Sequence, residues 1–585
     1  MEVLVNMINR QVLIKQRTSN SSAKLNSVSP LIQRLYQSRG IQNDEECLTS
    51  MHYLLPPTSL MNADKAAMLL SDAIVEKKRM LIVGDFDADG ATATAVAIRG
   101  LKLLGATCVE YLVPNRFKYG YGLTPEIVTD AVEFQPDILI TVDNGISSFE
   151  GVAAARQHGW EVLITDHHLP GDEVPSANVI VNPNQSGDLF PSKSLSGVGV
   201  MFYVLAATRQ LLEQRGRFSQ NKENMPNLAQ LLDLVALGTV ADVVPLDWNN
   251  RILVDQGLRR IRAGKCAPGI TSLIQVSGRN QSTLQAGDLG FAVAPRLNAA
   301  GRIEDMSIGI ECLLTDDLSS ASQLAQRLDS INVERRTIEQ GMKESALEHV
   351  GALLEGLDQA SLPYSLCLYD ESWHQGVIGI LASRIKALVH RPVIAFAPDD
   401  ETHLKGSARS IPGLHIRDAL DLVASRNPGL LSKFGGHAMA AGLSLEAHNL
   451  EDFKTAFNKV LCELIDEDDL ASVLWSDGEL EGVEINMETA KEIQQAGPWG
   501  QAFPEPLFEG EFVVIDRRVV GDKHLKLNLR SGSDTQPISA IQFFYDEQDW
   551  PESCNHFYLA YKLTVNEYRG QESVQLNIEH ARAIS

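Results

Sequence analysis

Residues 84–95 read GDFDADGATATA and directly follow a short apolar run, MLIV, at residues 80–83. The run has the length of a buried strand, and the alanine-rich residues 91–104 have the composition of a helix closed by Gly105. Strand-like and helix-like segments continue to alternate as far as residue 165. Strands that alternate with helices of about a dozen residues are typical of a parallel sheet with helices on both faces. The sequence therefore predicts an α/β fold.

Acidic and histidine residues follow three of the apolar runs, at the points where the predicted strands end. They are Asp85, Asp87 and Asp89 after residues 80–83, Asp143 after residues 138–142, and Asp166, His167 and His168 after residues 161–165. Because the carboxyl ends of parallel strands share one edge of a sheet, we expect these side chains to lie close together. Asp242, at the end of a long apolar stretch, is a further candidate.

A structural interpretation and a metal site compete for these residues. Aspartate is common at helix N-termini, and Asp89 could simply cap the helix predicted from residue 91. Three clusters on one sheet edge favour a metal site instead, because so many carboxylates repel one another unless a cation lies among them. Carboxylates with imidazole suit Mn²⁺, and carboxylates alone suit Mg²⁺. Calcium is disfavoured, because residues 84–90 lack the spacing of an EF-hand loop.

The chain length, charge and cysteine content exclude several classes of protein. With 585 residues, a single small fold is excluded. The net charge of −24 argues against a histone-like basic protein, although a local basic channel for nucleic acid stays compatible with it. Seven cysteines without a close CxxC pair indicate a reduced, cytoplasmic protein, and no apolar run reaches the ~20 residues of a membrane span. We therefore expect no membrane partner and no targeting segment.

The rest of the sequence divides into segments of different pattern. Residues 319–354 are charged, amphipathic and free of proline, which is typical of a long connector helix. Residues 363–445 show a second α/β pattern with glycine-rich pieces, and short alternating strands after residue 508 suit an OB-like β-barrel. The predicted order is a basic N-terminal arm at 1–50, an α/β domain at 51–315, a connector helix at 316–358, a second α/β domain at 359–460, a linker at 461–504 and a barrel at 505–585.

Several motifs together resemble those of a known superfamily. GDFDADGATATA, TVDNGIS, the DHH triplet at residues 166–168 and GTVADVVPL resemble the four motifs of the DHH phosphoesterase superfamily. FGGHAMAAGLS, KGSARS and GVIGILASR resemble the DHH-associated domain, and APRLNAAGRI and GPWGQAFPEPLF resemble segments of RecJ-type single-stranded-DNA-specific exonucleases. The resemblance runs from about residue 50 to the end of the sequence. It implies a parallel-sheet DHH domain, a connector helix, a DHH-associated domain that binds substrate, and an OB-like barrel that binds nucleic acid.

The resemblance also implies metal ligands and their supporting residues by position. Asp143 matches the aspartate that bridges two ions in the superfamily. The ligands of the second ion match Asp89, His167 and Asp242. His168 is expected to face the phosphate, and Asp166 is expected to orient His167 through a hydrogen bond. One or two ions of Mn²⁺ or Mg²⁺ are implied as cofactors.

The first ion is the place where the sequence departs from the superfamily pattern. Its ligands match Asp87 and a histidine four residues earlier, but that earlier position is Val83 in this sequence. Asp85 is the nearest residue that could replace the histidine.

Basic and glycine-flanked segments supply candidate contacts to the phosphates of a nucleic acid. They are Arg116, Arg296, Asn298, Arg302, Ser407, Arg409 and His437. Arginine forks match phosphate oxygens, and glycines allow the backbone to approach closely. Because the resemblance places the DHH-associated domain opposite the catalytic edge, Ser407 and Arg409 are expected to hold the 5′-terminal phosphate. Aromatic residues of the predicted barrel either stack on bases or fill its core, and the sequence leaves both roles open.

The resemblance implies a single-strand-specific, 5′-to-3′ exonuclease that releases 5′-mononucleotides and acts in DNA repair and recombination. Its expected partners are single-stranded DNA, a single-strand-binding protein and a helicase, in the cytoplasm. One alternative is a DHH-family phosphodiesterase for short oligonucleotides or cyclic dinucleotides, although a small substrate needs no barrel. Another is a catalytically inactive DNA-binding relative. The complete set of potential metal ligands argues against an inactive relative. These residues are Asp87, Asp89, Asp143, His167 and Asp242.

Overall fold

The computed structural model describes residues 12–18, 23–115, 119, 122–218, 225–354, 363–521, 523–532, 536–568 and 570–584. The α-helices in these ranges are α1 (Pro30–Gln37), α2 (Ala63–Glu76), α3 (Ala88–Leu104), α4 (Pro125–Ala131), α5 (Phe149–Gln157), α6 (Gly197–Gln214), α7 (Leu232–Ala241), α8 (Trp248–Arg262), α9 (Pro268–Val276), α10 (Ala286–Asp288), α11 (Ala294–Ile303), α12 (Ser307–Leu314), α13 (Leu318–Leu354), α14 (Ile378–Val389), α15 (Ile416–Arg426), α16 (Leu450–Leu464) and α17 (Met487–Gln495). The β-strands are β1 (Leu13–Gln16), β2 (Met80–Val83), β3 (Val109–Leu112), β4 (Ile138–Val142), β5 (Glu161–Thr165), β6 (Val179–Val181), β7 (Leu366–Tyr369), β8 (Val393–Pro398), β9 (His403–Arg409), β10 (Lys433–Gly436), β11 (Ala440–Glu446), β12 (Val473–Ser476), β13 (Phe508–Val520), β14 (His524–Ser531), β15 (Ile538–Phe543), β16 (His556–Tyr568) and β17 (Gln571–Ala583).

The chain folds into two compact units. The larger unit consists of residues 17–332 and 477–585, and the smaller unit consists of residues 1–16 and 333–476. A single helix of 37 residues, α13, stands where the sequence predicts a connector helix. In the part of the chain that the structure describes, no helix is both long enough and apolar enough to cross a bilayer.

Five parallel strands form the central sheet of the larger unit, in the order β3-β2-β4-β5-β6. Alternate residues of β2 lie in different cores. Met80 and Ile82 share a core with α2, α3 and α6, whereas Leu81 and Val83 share one with α4 and α5. Every residue of β2 and β4 is buried for this reason, and both strands are almost wholly apolar. The predicted parallel sheet with helices on both faces is confirmed.

Helix α3 begins earlier than the sequence predicts, and this decides which aspartate caps it. The helix starts at Ala88, because Asp87 is the N-cap and its Oδ1 accepts a hydrogen bond from the Gly90 N–H at 3.0 Å. The alternative in which Asp89 caps the helix is therefore wrong. Asp89 lies in the first turn of α3, where it is buried.

Residues 23–50 pack within the larger unit and do not form the basic arm predicted for this part of the chain. Helix α1 buries three apolar side chains. Arg39 forms a bidentate ion pair with Asp477, at 2.8 and 2.9 Å, and its guanidinium lies 5.1 Å from the ring centroid of Trp499. Trp499 belongs to the GPWGQAFPEPLF segment, which therefore serves packing here. An eight-residue helix is too short for its apolar spacing to stand out in a sequence.

A mixed sheet in the order β10-β11-β9-β8-β7 organises the smaller unit. Strands β7 and β8 are parallel, and the other neighbours are antiparallel. Phe396 of β8 and Phe453 and Phe457 of α16 are buried in its core. The second α/β domain is thus confirmed as a fold. Strand β1 pairs in parallel with β12, so part of the predicted linker at 461–504 is a strand.

The last five strands close into a barrel in the order β13-β14-β15-β17-β16, as the OB-like prediction requires. Phe512, Phe557 and Tyr561 fill its core, and each is at most 1% exposed. Phe543 and Phe544 are 53% and 76% exposed. Some aromatic residues of the barrel therefore fill its core, whereas others are exposed on its surface.

Candidate metal centre

The carboxyl ends of β2, β4 and β5 bring the acidic motifs of the sequence together. The first group of potential metal ligands is Asp85, Asp87 and Asp143, whose donor oxygens lie within 4.8 Å of one another. Val83, the residue at the position of the usual histidine, is buried in the core beneath the sheet. Asp85 therefore supplies the third donor of this group.

The second group of potential ligands is Asp89, His167 and Asp242, whose donor atoms also lie within 4.8 Å of one another. Nε2 of His167 lies 3.4 Å from Oδ2 of Asp242 and 3.1 Å from Oδ1 of Asp143. The two groups meet at Asp143 and His167. The structure thus brings all six predicted ligand residues into one cluster, which we call the ligand cluster.

The backbone of Asp143 adopts a conformation that is uncommon for a residue with a side chain. Its φ of +62° lies in the left-handed region, which costs roughly 1–3 kcal/mol and is found mainly at functional sites. The Asp143 N–H donates to the carbonyl of Thr165 at 3.0 Å. A Cβ on Gly197 would lie 2.5 Å from the Asp143 side chain, so the start of α6 requires glycine there.

The N-terminus of α6 also holds Asp89. The two carboxylate oxygens of Asp89 accept hydrogen bonds from the N–H groups of Gly197 at 2.6 Å and Val198 at 3.0 Å. These donors lie at the positive end of the helix dipole. Burial and the neighbouring Asp87 raise the pKa of Asp89 to about 7, although the two hydrogen bonds oppose the shift.

Crowded negative charge is the main electrostatic feature of the ligand cluster. Burial, followed by the charges of Asp89 and Asp87, raises the pKa of Asp143 and the pKa of Asp242 well above the usual range. Both shifts have the same cause, because several carboxylates share a small and largely buried space. A divalent cation removes this repulsion, and carboxylates with one imidazole are a suitable donor set for Mn²⁺ or Mg²⁺. The residues present therefore fit a divalent metal site.

Asp166 contacts the ring of His168 and the main chain of His167, which the sequence analysis expects it to orient. Oδ1 of Asp166 lies 2.7 Å from Nδ1 of His168 and accepts the main-chain N–H of His167 at 2.7 Å. Oδ2 accepts the N–H of Ile146 at 2.9 Å. Although burial alone lowers it, the hydrogen bond to Asp166 raises the pKa of His168 to about 9. The hydrogen bond to Asp166 thus favours the protonated form of the His168 ring, which suits contact with a phosphate.

Two asparagines that the sequence analysis misses hold the backbone of the DHH triplet. Nδ2 of Asn182 donates to the carbonyl of His168 at 2.9 Å, and Nδ2 of Asn184 donates to the carbonyl of His167 at 2.6 Å. Both asparagines follow β6 closely. The signal that could have revealed them is a polar run at the carboxyl end of one more strand, but β6 has only three residues.

Helix α11 packs against the GDFDADG loop. Oδ1 of Asn298 accepts a hydrogen bond from the Ala88 N–H at 2.8 Å. A Cβ on Gly301 would lie 1.8 Å from the carbonyl oxygen of Phe86, so only glycine permits this approach. Asn298, which the sequence predicts as a phosphate contact, therefore positions the loop that carries the ligands.

The sequence predicts a phosphate contact for Arg296, but the structure engages this side chain elsewhere. Arg296 is 7% exposed, and its Nε donates to Oδ1 of Asp329 at 2.8 Å. Its other N–H groups donate to the carbonyls of Ala292 and Val276. A buried guanidinium with these partners has a structural role, because its charge is balanced inside the protein. Arg302, on the same helix, is partly exposed and stays a predicted phosphate contact.

Arg409 ends β9 in the smaller unit, and its surroundings differ from those of Arg296. Nε of Arg409 lies 3.1 Å from Oγ of Ser383, and Nη1 lies 3.1 Å from Oγ of Ser407. Burial lowers the pKa of the guanidinium, and no carboxylate of the described residues offsets this. A Cβ on Gly379, in the first turn of α14, would lie 2.8 Å from Nη2. A helix N-terminus beside an arginine without an acidic partner is suited to an anion.

The last two predicted phosphate contacts have different outcomes. His437 is exposed in the turn after β10, where its main-chain N–H donates to the carbonyl of Ala440 at 2.8 Å. Arg116 lies outside the described residues and stays a prediction from the sequence.

Three rings form a cluster on the surface of the barrel, which we call the ring cluster. The centroid of the His524 ring lies 5.1 Å from that of Phe543 and 5.0 Å from that of Phe544. The Phe544 N–H donates to Nδ1 of His524 at 3.1 Å. Val520, which pairs with His524 across the strands, is also exposed. The ring cluster is therefore an apolar surface rather than part of the core.

The parallel sheet and the ligand cluster at its edge define a metal-dependent phosphoesterase of the DHH class. Three family models match the chain in the same order as its folded parts. The "DHH family, N-terminal domain" matches residues 79–239, the "DHHA1 domain" matches residues 361–463, and the "RecJ OB domain" matches residues 476–580.

The chain belongs to the RecJ family of single-stranded-DNA-specific exonucleases. It is 50% identical over 570 residues to RecJ of Dickeya dadantii, covering 97% of this chain and 98% of that protein. It is 49% identical over 575 residues to RecJ of Escherichia coli, covering 98% and 99%. The crystal structure of RecJ from Thermus thermophilus in complex with Mn²⁺ has a TM-score of 0.79 and 30% identity, and covers 95% of this chain and 76% of that one. The same enzyme in complex with Mg²⁺ has a TM-score of 0.73 and 28% identity, and covers 95% of this chain and 75% of that one.

Proposed function

We propose that this chain is a single-stranded-DNA-specific exonuclease that hydrolyses phosphodiester bonds with Mn²⁺ or Mg²⁺ held by the ligand cluster. The observation that carries the proposal is the meeting of two ligand groups at Asp143 and His167, with 3.1 Å between their side-chain atoms. The similarity to RecJ exonucleases over nearly the whole chain supports the substrate class and a role in DNA repair and recombination.

The proposed ligands divide between two ions. Asp85, Asp87 and Asp143 would hold the first ion, and Asp89, His167 and Asp242 would hold the second. Asp143 is also close to the second group, 3.1 Å from Nε2 of His167. Bound there, the ions supply activation of the attacking water and compensation for the charge that develops on the phosphate. The protein keeps the ligands in place before substrate arrives, because Asp89 is fixed by the N-terminus of α6.

His168 has a separate role in this proposal. Because Nδ1 interacts with Asp166, we assign Nε2 to the contact with the scissile phosphate. The hydrogen bond to Asp166 favours the protonated form of this ring. A fixed cation next to the phosphate stabilises the additional negative charge of the transition state. Asp166 supports this role by holding the ring in one orientation.

The 5′-to-3′ direction and the release of 5′-mononucleotides require a pocket for the 5′ end of the strand. We assign this pocket to Arg409, Ser407 and the first turn of α14, with His437 as an additional donor. A terminal phosphate carries more negative charge than an internal diester, so a guanidinium without an acidic partner favours it. The hydroxyl of Ser407 and the helix N–H groups supply further donors.

The ring cluster of the barrel is the proposed contact for bases of the strand. Base stacking on an exposed aromatic ring contributes about 1–3 kcal/mol per base and depends little on base identity. The exposure of Phe543 and Phe544, at 53% and 76%, supports this assignment. Tyr561 is excluded from such a role, because it is buried in the barrel core.

A single-strand-binding protein and a helicase are proposed as partners, and the cytoplasm as the location. These assignments follow from the resemblance of the motifs to RecJ-type exonucleases, since such an enzyme needs a source of unwound strand.

One assay tests the proposed function against its alternatives. Three substrates are compared with Mn²⁺ present: a 5′-labelled single strand, the matching duplex, and a dinucleotide. The proposal predicts rapid release of labelled mononucleotide from the single strand and slow reaction of the other two. Preferred cleavage of the dinucleotide would indicate a phosphodiesterase for small substrates. Binding of the single strand without any cleavage would indicate an inactive relative.

A further inference from the structure

A cavity of about 520 Å³ lies in the larger unit, at the C-terminal end of α3 and away from the ligand cluster. Its walls come from α3, α7, α8, the start of α9 and the residues after α12. Ile98, the first residue of α3 in the wall, is nine residues beyond Asp89, or about 13 Å along the helix at 1.5 Å per residue. The volume falls within the range of roughly 300–1,000 Å³ that is typical of small-molecule sites.

Three basic side chains of the cavity wall form no ion pair within 4.0 Å among the described residues, although Asp233 interacts electrostatically with Arg260. Among the described residues, no carboxylate lies within 4.0 Å of the charged nitrogens of Lys102, Arg260 or Lys265. Nη2 of Arg260 donates to the carbonyl of Lys265 at 3.1 Å. Nε of Arg260 is buried and has no hydrogen-bond acceptor in the described protein. Because this nitrogen is not accessible to solvent, only the terminal nitrogens of Arg260 are available to an anion in the cavity.

The acidic residues of the wall are already engaged. Asp316 forms an ion pair with Arg99 at 2.9 Å. Asp233 accepts hydrogen bonds from the N–H groups of Ala267 at 2.7 Å and Leu234 at 2.9 Å. The wall therefore contains four basic and two acidic side chains, an excess of two positive charges, with Asp233 acting on Arg260.

Helix ends give a simpler explanation for part of this charge. Lys102 and Arg260 lie in the last turns of α3 and α8, where basic residues offset the helix dipole. Lys265 directly follows the C-terminal turn of α8, and its N–H donates to the Arg260 carbonyl at 2.9 Å, so the same explanation covers it. Helix ends do not explain why all three basic residues border one cavity. The N-terminus of α9 already has an anion, because Asp233 accepts the Ala267 N–H at 2.7 Å, and Pro268 has no N–H.

We propose that this cavity binds a nucleoside 5′-monophosphate. The phosphate lies against Lys102, Arg260 and Lys265. The base and sugar occupy the rest of the volume, where the wall is mainly aliphatic: Ile98, Leu103, Leu231, Leu234 and Leu314. Inorganic phosphate alone would leave this aliphatic wall without a partner. The site is formed by the larger unit alone, and the proposal does not depend on the exonuclease activity.

The test is calorimetric titration of the full-length protein with deoxyadenosine 5′-monophosphate, in EDTA so that metal-dependent binding at the ligand cluster is excluded. We expect the nucleotide to bind at least about tenfold more tightly than inorganic phosphate or deoxyadenosine, because it uses both parts of the wall. Lys102→Gln and Lys265→Gln change exposed residues and should each weaken binding by about tenfold or more. Lys65→Gln, at an exposed position of α2, and Asp143→Ala should bind as the wild type does.

Three outcomes would overturn the proposal. One is the absence of nucleotide binding, and another is phosphate binding as tightly as the nucleotide. The third is loss of binding in Asp143→Ala but not in Lys265→Gln, which would place the nucleotide at the ligand cluster. Circular dichroism of each variant shows that it is folded.

Discussion

Replacing Arg409 with alanine should remove most of the preference of the enzyme for a strand with a 5′-phosphate. In the structure this guanidinium has two serine hydroxyls and one carbonyl as partners, and no carboxylate among the described residues. A terminal phosphate would therefore be its sole strong counter-charge. The loss of one charge-assisted hydrogen bond costs about 1.5–3 kcal/mol, which corresponds to roughly 10- to 150-fold in specificity.

The assay compares kcat/KM for two oligonucleotides of the same sequence, one with a 5′-phosphate and one with a 5′-hydroxyl. For Arg409→Ala, we expect the ratio of the two values to fall by roughly 10- to 150-fold, mainly through the phosphorylated strand. Arg409→Lys keeps the positive charge but loses the planar guanidinium that can donate two parallel hydrogen bonds. Its ratio of kcat/KM values should therefore lie between those of the wild type and Arg409→Ala. Arg426→Ala is the matched control, because Arg426 pairs with Glu463 on the surface of the same unit, at 2.9 Å.

The reasoning fails if folded Arg409→Ala keeps the wild-type ratio. In that case the terminal phosphate is held elsewhere, and Arg302 or Arg116 becomes the better candidate. An equal loss on both strands would also contradict it, since a general defect in binding or chemistry does not distinguish the ends.

Four further predictions concern the ligand cluster, the packing of its loop and the barrel. Asp143→Ala should lower kcat by about 100-fold or more, since each stabilising contact at a developing charge contributes several kcal/mol. Fluorescence anisotropy should still show that this variant binds single-stranded DNA. Chelation with EDTA should abolish cleavage reversibly, and added Mn²⁺ should raise the unfolding midpoint of the wild type more than that of Asp143→Ala. Gly301→Ala should lower the free energy of unfolding by about 1–3 kcal/mol, because its Cβ would lie 1.8 Å from a carbonyl oxygen. Gly287→Ala, whose Cβ meets no atom within 4 Å, should show no such loss in the same denaturant titration. Phe544→Ala should weaken binding of a long single strand by about 1–3 kcal/mol. Val483→Ala, at another exposed position, should leave this affinity unchanged. Equal affinities of Phe544→Ala and the wild type would argue against stacking.

The sequence alone was sufficient for four of the five strands of the central sheet, all but β6, and for the acidic and histidine residues that follow them. The strand predicted at 161–165 coincides with β5 residue for residue, and the one predicted at 137–142 begins one residue before β4. A strand that is buried on both faces must be apolar nearly throughout, so it leaves a clear signal. The acidic motifs follow these strands directly. Their meeting at one edge is a consequence of parallel topology rather than of any particular side-chain contact.

Contacts between distant parts of the chain could not be predicted in this way. Arg296 and Arg409 are both predicted to contact phosphate, because both stand in glycine-containing segments of similar polarity. Only the folded chain places Asp329, 33 residues away, beside Arg296 and leaves Arg409 without a carboxylate. The pairing of Arg39 with Asp477, across 438 residues, is of the same kind.

The sequence by itself thus determined most of the sheet, the barrel and the residues at the sheet edge, because burial periodicity and strand ends are local properties of the chain. The tertiary structure decided which of two adjacent histidine rings Asp166 contacts and which barrel aromatics are exposed. Those outcomes depend on which surfaces the fold brings together. The burial and charge balance of each side chain depend on neighbours that are far away in the sequence. A local sequence pattern does not predict which residues those neighbours are.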